Sequence, residues 1–190
     1  MCSALAVAII VATAQGGCAR QRPFDLMRVQ NTAGLHVLDF QPIRQKEAYD
    51  CGEGAMASVL AYWKLPTSPE DILRDIFAKT PSITGTTAAD LKAYAERRGL
   101  RAFLLRLKRE DICRQIDKGR PVIVCRKVIG GMNHYEVAVG FDERNRRMIL
   151  ADPAKGPYSV PYDIFEKRRK KVDNFALLVA PEEGTPQRGK

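Results

Sequence analysis

The chain has 190 residues, of which 45% are hydrophobic and 28% are charged, and its formal net charge at pH 7 is +9. These values predict one compact globular domain with a substantial core. The positive charge favours an anionic neighbour such as a membrane surface. Basic residues do not alternate with aromatic ones and no nucleic-acid-binding motif is present, so we do not expect nucleic acid as a partner.

Five cysteines and two histidines are present, and no two cysteines have the C-x-x-C spacing of a zinc or redox site. We therefore expect no metal centre and no cofactor. Cys113 and Cys125 flank a turn between a predicted helix and a predicted strand. Two alternatives are open for them: a disulfide in an oxidising compartment, or two isolated buried thiols.

Residues 1–17 form an apolar run that is too short for a transmembrane helix but matches the apolar region of a secretory signal peptide. Gly16 and Gly17 precede Cys18, as in a bacterial lipoprotein processing site, where the cysteine is lipidated and becomes the new N-terminus. We favour this interpretation over a plain signal peptide or an N-terminal apolar helix. It predicts a bacterial envelope protein that is exported and lipid-anchored at Cys18 on the periplasmic side of the membrane. Residues 18–34 are interpreted as a tether.

The domain is predicted to occupy residues 35–180 and to begin with a strand at 35–40, where His36 is expected on the polar face. A helix is predicted from Cys51 to about Trp63, because apolar residues recur there at helical spacing. Asp50 and Glu53 have the spacing of a capping box at its start. A cysteine at a helix N-terminus is favoured as the thiolate, although these residues alone fit an ordinary buried cysteine equally well.

The rest of the domain is predicted as two further helices followed by a mainly β region. The second and third helices begin near Ser68 and Thr86, where capping residues precede apolar periodicity. After them we expect a strand at 100–107, a helix at 108–118, strands at 121–125, 133–141, 148–151 and 158–160, a helix at 161–169 and a strand at 174–180. Residues 181–190 are expected to be a disordered tail. Helices followed by an antiparallel sheet predict an α+β fold.

Three residues have the chemistry and the positions that nucleophilic catalysis requires. Cys51 opens the first helix, His134 lies near the start of a strand, and Asp152 ends the next strand. A hairpin turn centred near residue 144 would pair His134 with about residues 152–154, so that Asp152 could lie next to His134 across the ladder. Separately, His134 fits a core histidine and Asp152 a turn acid, but together with Cys51 they fit a base, its orienting acceptor and a nucleophile.

Gln45 is a fourth candidate, because it precedes Cys51 by six residues on the loop that enters the helix. Its amide could donate to the oxyanion of a tetrahedral intermediate, alongside the backbone N–H of Cys51. An exposed loop glutamine is the alternative.

The order of Cys51, His134 and Asp152 is that of papain-like cysteine peptidases. Gln45-x5-Cys51-Gly52, His134-Tyr135 before an apolar strand, and Asp152-Pro153 together resemble the bacteriocin-processing peptidases, which remove double-glycine leaders from exported peptides. The resemblance covers about residues 40–180 and fits stand-alone, exported relatives best, because no phosphate-binding loop of a transporter ATPase is present.

The resemblance implies a papain-like fold in which N-terminal helices pack on an antiparallel sheet. It also implies a catalytic set of Cys51, His134, Asp152 and Gln45, and a peptide or protein as substrate. Two alternatives are a non-catalytic peptide-binding module on the same fold, and another papain-like amidase or acyltransferase. The basic run 166–171 is expected to be a solvated face that could lie on anionic lipid.

Overall fold

The computed structural model describes residues 21–28, 33–47, 49–77, 86–128 and 131–182. Within them the chain forms five helices and eight strands. The helices are Cys51–Tyr62 (α1), Pro69–Phe77 (α2), Ala88–Arg97 (α3), Arg109–Asp117 (α4) and Tyr162–Lys170 (α5). The strands are Arg22–Pro23 (β1), Leu35–Val37 (β2), Arg101–Arg106 (β3), Val122–Lys127 (β4), Asn133–Asp142 (β5), Arg147–Asp152 (β6), Gly156–Pro161 (β7) and Phe175–Ala180 (β8).

All the paired strands of the sheet are antiparallel, in the order β1-β7-β6-β5-β4-β8-β3. Strand β2 joins the same sheet, because it pairs with the end of β5 that lies beyond its pairing with β4. The predicted α+β fold, with N-terminal helices on an antiparallel sheet, is confirmed. Arg22–Pro23 lies inside the segment that the sequence presents as a tether, and it pairs with β7.

Hydrophobic cores lie on both faces of the sheet. Helices α1, α2 and α3 pack on one face through a cluster that includes Met56, Leu91 and Val137. Helices α4 and α5 pack on the other through a cluster that includes Ile112 and Phe165. Because neighbouring residues of a strand point to opposite faces, the central strands are buried on both sides and are almost continuously apolar.

Local sequence signals explain where α2 and α3 begin. The hydroxyl of Ser68 accepts a hydrogen bond from the Asp71 N–H at 3.1 Å, before α2. Thr87 and Asp90 form a reciprocal capping box at the start of α3. None of the described helices is long and apolar enough to cross a membrane. Residues 1–20, which include the predicted signal and Cys18, and residues 183–190 of the predicted tail lie outside the described part of the chain.

The basic run at the end of α5 differs in one residue from the predicted solvated face. Arg169 is buried, and its guanidinium donates to the carbonyl oxygens of Leu107, Asn174 and Phe175. Burial lowers the pKa of Arg169 to about 10. This arginine therefore joins α5 to β8 and does not belong to the exposed surface.

The first turn of α1 approaches neighbouring segments very closely, because it contains small residues. A Cβ at Gly54 would lie 2.8 Å from Cβ of Pro153, which follows β6 directly. A Cβ at Gly52 would meet Cδ1 of Leu91 at 3.3 Å and the ring of Tyr135 at 3.5 Å. Gly54 therefore sets how closely the end of β6 can approach α1.

We expect Gly54→Ala to destabilise the protein and Gly52→Ala to be nearly neutral. Alanine gains up to about 1 kcal/mol over glycine inside a helix. At Gly54 a collision with the rigid Pro153 ring should outweigh that gain, with a net loss of about 1–3 kcal/mol. At Gly52 the nearest atom ends a flexible leucine side chain, which can move. Urea unfolding of both variants measures the difference, and equal free energies of unfolding would contradict this account.

Candidate active site

Cys51 is the first residue of α1 and is buried, with 8% of its surface exposed. The backbone N–H of Tyr135 on β5 donates to its Sγ at 3.5 Å. The imidazole of His134 also interacts electrostatically with Cys51. The sulfur therefore lies between the start of a helix and the start of a strand, beside a backbone N–H group and an imidazole.

The capping box predicted for α1 is wrong. Asp50 is the N-cap residue, but its side chain makes no capping hydrogen bond and instead accepts from the Glu47 N–H at 3.3 Å. Glu53 is buried and accepts a hydrogen bond from the Thr86 hydroxyl. Burial raises the pKa of Glu53, so its environment differs from that of a solvated capping residue. Glu53 is drawn away from the cap because it faces the segment before α3.

His134 and Asp152 are in contact, as the sequence predicts. Nε2 of His134 lies 3.0 Å from Oδ1 of Asp152, whose side chain is fully buried. The same oxygen accepts the backbone N–H groups of Ala154 at 2.8 Å and Lys155 at 3.3 Å. The carboxylate is thus held in place by the turn that follows β6, and Nδ1 of the imidazole is left for Cys51.

The register of this hairpin falls at the far end of the predicted range, because continuing it pairs His134 with residue 154. Strand β5 has an irregularity between Ala138 and Gly140, and Val137 pairs with Ala151. Continuing this register places Asp152 opposite Glu136. Asp152 reaches His134 diagonally, which the spacing of a ladder allows for longer side chains.

The electrostatic environment favours the charged forms of both His134 and Asp152. Burial opposes the charge on His134, but its contacts with Asp152 and Cys51 outweigh this and raise the pKa of the imidazole to about 9. Burial also opposes ionisation of Asp152, but His134, the Ala154 N–H and Arg126 hold the pKa of this carboxyl below its usual range. At neutral pH the imidazole is therefore an imidazolium beside a carboxylate.

A second layer of charge lies behind Asp152 and is not predicted by the sequence. Nη2 of Arg126 on β4 lies 3.3 Å from Oδ2 of Asp152, and its Nε lies 3.2 Å from Oε1 of Glu136. The hydroxyl of Tyr158 on β7 donates to the other oxygen of Glu136 at 2.7 Å. The signal in the sequence is weak: Arg126 directly follows the apolar run 122–125 of β4, and Glu136 directly precedes the apolar run 137–139 of β5.

Three groups of this cluster, His134, Glu136 and Asp152, offer potential metal-ligand atoms within 4.8 Å of one another. The guanidinium of Arg126 already contacts both carboxylates, and a metal cation there would face a buried positive charge. The donor set fits an ion-pair network better than a metal site.

Gln45 lies beside the first turn of α1, because its backbone N–H donates to the Pro153 carbonyl at 3.1 Å. Its side-chain Nε2 donates to the Glu47 carbonyl at 2.7 Å. The amide is thus near the site but is engaged with its own loop in this structure. Its role as an oxyanion donor stays a prediction.

His36, Cys113 and Cys125 take no part in these contacts. His36 contacts Asp117 through Nδ1 at 2.9 Å and stacks on Phe141. Cys113 and Cys125 are free thiols, which answers the question of a disulfide that the sequence leaves open. Burial raises the pKa of both thiols to about 11, so they are protonated at neutral pH.

A cleft of about 540 Å³ opens beside Tyr135 and Cys125. Its apolar lining includes Leu104 and Phe175, and Lys127 and Lys171 also line it. Tyr135 connects this cleft to the site, since its backbone N–H donates to Cys51 and the residue also lines the cleft. An extended peptide with apolar side chains fits such a surface.

Comparison with known proteins identifies close structural relatives. The peptidase domain of Streptococcus ComA, a bi-functional ABC transporter involved in quorum sensing, superposes with a TM-score of 0.64 at 22% identity and covers 75% of this chain and 98% of that one. A double glycine motif protease from an AMS/PCAT transporter, in complex with its leader peptide, gives a TM-score of 0.62 at 24% identity and covers 77% and 95%.

Sequence relatives include an uncharacterized protein of Methanothermobacter thermautotrophicus. It is 32% identical over 125 residues, which are 66% of this chain and 80% of that protein. The model of the Peptidase_C39 like family matches residues 37–174, a range that contains Cys51, His134 and Asp152. The chain therefore belongs to the Peptidase_C39 like family.

Proposed function

We propose that this protein hydrolyses peptide bonds through a thioester at Cys51. The convergence of Cys51, His134 and Asp152 carries the proposal, because residues from α1, β5 and β6 meet in the order sulfur, imidazole, carboxylate. A peptide-binding module has no need of a buried imidazolium beside a thiol, and a purely structural histidine has no need of both partners.

The reaction follows from these contacts. The Cys51 thiolate attacks the carbonyl carbon of the peptide, and the His134 imidazolium gives its proton to the leaving amine as the C–N bond breaks. Water then attacks the thioester while His134 takes a proton from it, and the acid leaves as the thiolate is restored. Asp152 orients the imidazole and stabilises its positive charge throughout.

The oxyanion of each tetrahedral intermediate needs donors. We assign the backbone N–H of Cys51 and the amide of Gln45 to this role. The amide must first exchange its hydrogen bond with the Glu47 carbonyl for one with the substrate. Such a change of a single side chain fits an active site without substrate, where catalytic hydrogen bonds are often not yet formed.

The proposed substrate is a peptide or a peptide segment of a protein that binds in the cleft beside Tyr135. Two features support it: the apolar surface of the cleft, and the leader peptide bound by the structurally similar double glycine motif protease. The site of action is proposed to be the periplasmic side of a bacterial membrane, with Cys18 as lipid anchor. Gly16 and Gly17 before Cys18, and the net charge of +9, support this placement.

The first prediction concerns the reactivity of Cys51. We expect iodoacetamide at pH 6 to label Cys51 far faster than Cys113 and Cys125, whose pKa values burial raises to about 11. His134→Ala should slow the labelling of Cys51 on the order of 100-fold, because the thiolate loses its counter-ion. Peptide mapping by mass spectrometry gives the rate at each cysteine. His36→Ala is the matched control, and equally slow labelling of all cysteines would exclude the catalytic proposal.

The second prediction tests the role of Gln45 as an oxyanion donor independently of the reactivity of Cys51. Gln45→Ala should lower kcat for a peptide substrate on the order of 100-fold or more, since one oxyanion donor is lost. Its Cys51 should still react with iodoacetamide at the wild-type rate. Gln41→Ala, an exposed glutamine in the same loop, provides the control. An unchanged kcat in Gln45→Ala would remove this residue from the mechanism.

The third prediction concerns the anchor. When the full chain is expressed in a Gram-negative bacterium, we expect it to incorporate labelled palmitate and to sediment with membranes. Cys18→Ser should abolish both, because Cys18 is the proposed lipidation site. Cys2→Ser is the matched control and should change neither. Palmitate labelling that persists in Cys18→Ser would place the modification elsewhere.

A further inference from the structure

We propose that Arg126 is a positioning residue of the active site, which keeps Asp152 ionised and directed at His134 while Glu136 holds its guanidinium in place. Neither Arg126 nor Glu136 takes part in the proposed bond-making and bond-breaking steps. The inference rests on the proposed function, because it concerns the residue that supports the imidazolium.

The geometry places Arg126 directly behind the carboxylate. Cross-strand pairing puts Arg126 opposite His134, and Val124, two residues earlier on β4, opposite Glu136. Nη2 of Arg126 faces Oδ2 of Asp152 at 3.3 Å, while Oδ1 faces His134 at 3.0 Å. Each oxygen of the Asp152 carboxylate therefore contacts one cationic group.

All members of the cluster are shielded from water. The exposed fractions of the side chains are 10% for Arg126, 2% for Glu136 and 0% for Asp152. Charges removed from water interact strongly and cannot be replaced by solvent, so removing one partner leaves the others uncompensated. An exposed arginine at the same distance would contribute far less.

The other charged and titratable groups around the cluster come from several elements. Tyr158 on β7 donates to Glu136, and burial raises the pKa of this phenol, so it stays a neutral donor. Arg169 on α5, which packs on the face of the sheet that α4 and α5 cover, interacts electrostatically with Glu136. His134 faces the cluster from β5, with Cys51 beyond it on α1. Arg126 is the one cation that contacts both carboxylates among the described residues.

Loss of the positive charge at Arg126 has a defined consequence. Glu136 and Asp152 would then lie side by side on neighbouring strands without a cation between them, and the pair would retain a proton to higher pH. With Asp152 neutral, the imidazolium of His134 loses its counter-charge. The Cys51–His134 ion pair would therefore form only at higher pH, although neither residue has changed.

The experiment measures the rate of Cys51 alkylation by iodoacetamide from pH 4 to pH 8 in the full chain, with peptide mapping to isolate Cys51. In Arg126→Gln, we expect the midpoint of the acid limb to rise by about one pH unit or more. Arg126→Lys keeps the charge and should shift the midpoint much less. Arg126→Gln/Glu136→Gln removes the pair as a unit, leaves one carboxylate, and should return the midpoint close to the wild-type value.

Two outcomes would overturn the proposal: a wild-type midpoint in folded Arg126→Gln, or a midpoint in the double variant that stays as high as in the single one. If Arg126→Gln does not fold, Glu136→Gln and the double variant are compared instead. The double variant is then expected to have the higher midpoint, and equal midpoints would refute the role of Arg126. Wild-type alkylation that does not depend on His134 would instead refute the proposed function, so the two failures are distinguishable.

Discussion

The structure depends on the close approach of the first turn of α1 to strand β5. The hydrogen bond from the Tyr135 N–H to Sγ of Cys51 exists because the helix presents almost no bulk on this side. Residues 51–60 are buried all around the helix, so the segment is a central helix and has no solvent face. Because packing on every side is tight, small movements of α1 are resisted by three neighbours at once: β5, α3 and the turn after β6.

The approximate bounds of most elements could be predicted from the sequence, because the signals that set them are local. Periodic apolar residues, together with proline and glycine at the ends, mark α1, α2 and α3, and short β-branched runs mark the central strands. These are local signals, and the order of elements then leads to the α+β fold. The contact of His134 with Asp152 was accessible in the same way, because a short hairpin turn brings the ends of two consecutive strands together.

Other features could not be predicted, since they depend on tertiary contacts. The irregularity between Ala138 and Gly140 leaves no mark in the hydrophobic pattern of a strand that is buried on both faces, and it changes which residue faces Asp152. Glu53 has the spacing of a capping residue, but the segment before α3 provides a partner that the local sequence does not show. For the same reason, Arg126 and Glu136 look like charged residues on strand surfaces until the sheet places them together.

Protonation of His134 links the stability of the folded protein to the protonation state of the candidate active site. Its pKa in the folded protein, about 9, lies above the ordinary value of 6.5, so the folded state binds the proton more tightly than the unfolded chain does. The contribution of this group to stability is therefore fully present below pH 6.5 and is lost as the pH rises through 9. In the mechanism that we propose, the same deprotonation removes the acid that protonates the leaving amine. Above that pH the site loses its proton donor and the fold loses part of the ion pair that joins β5 to β6, and both effects have one cause.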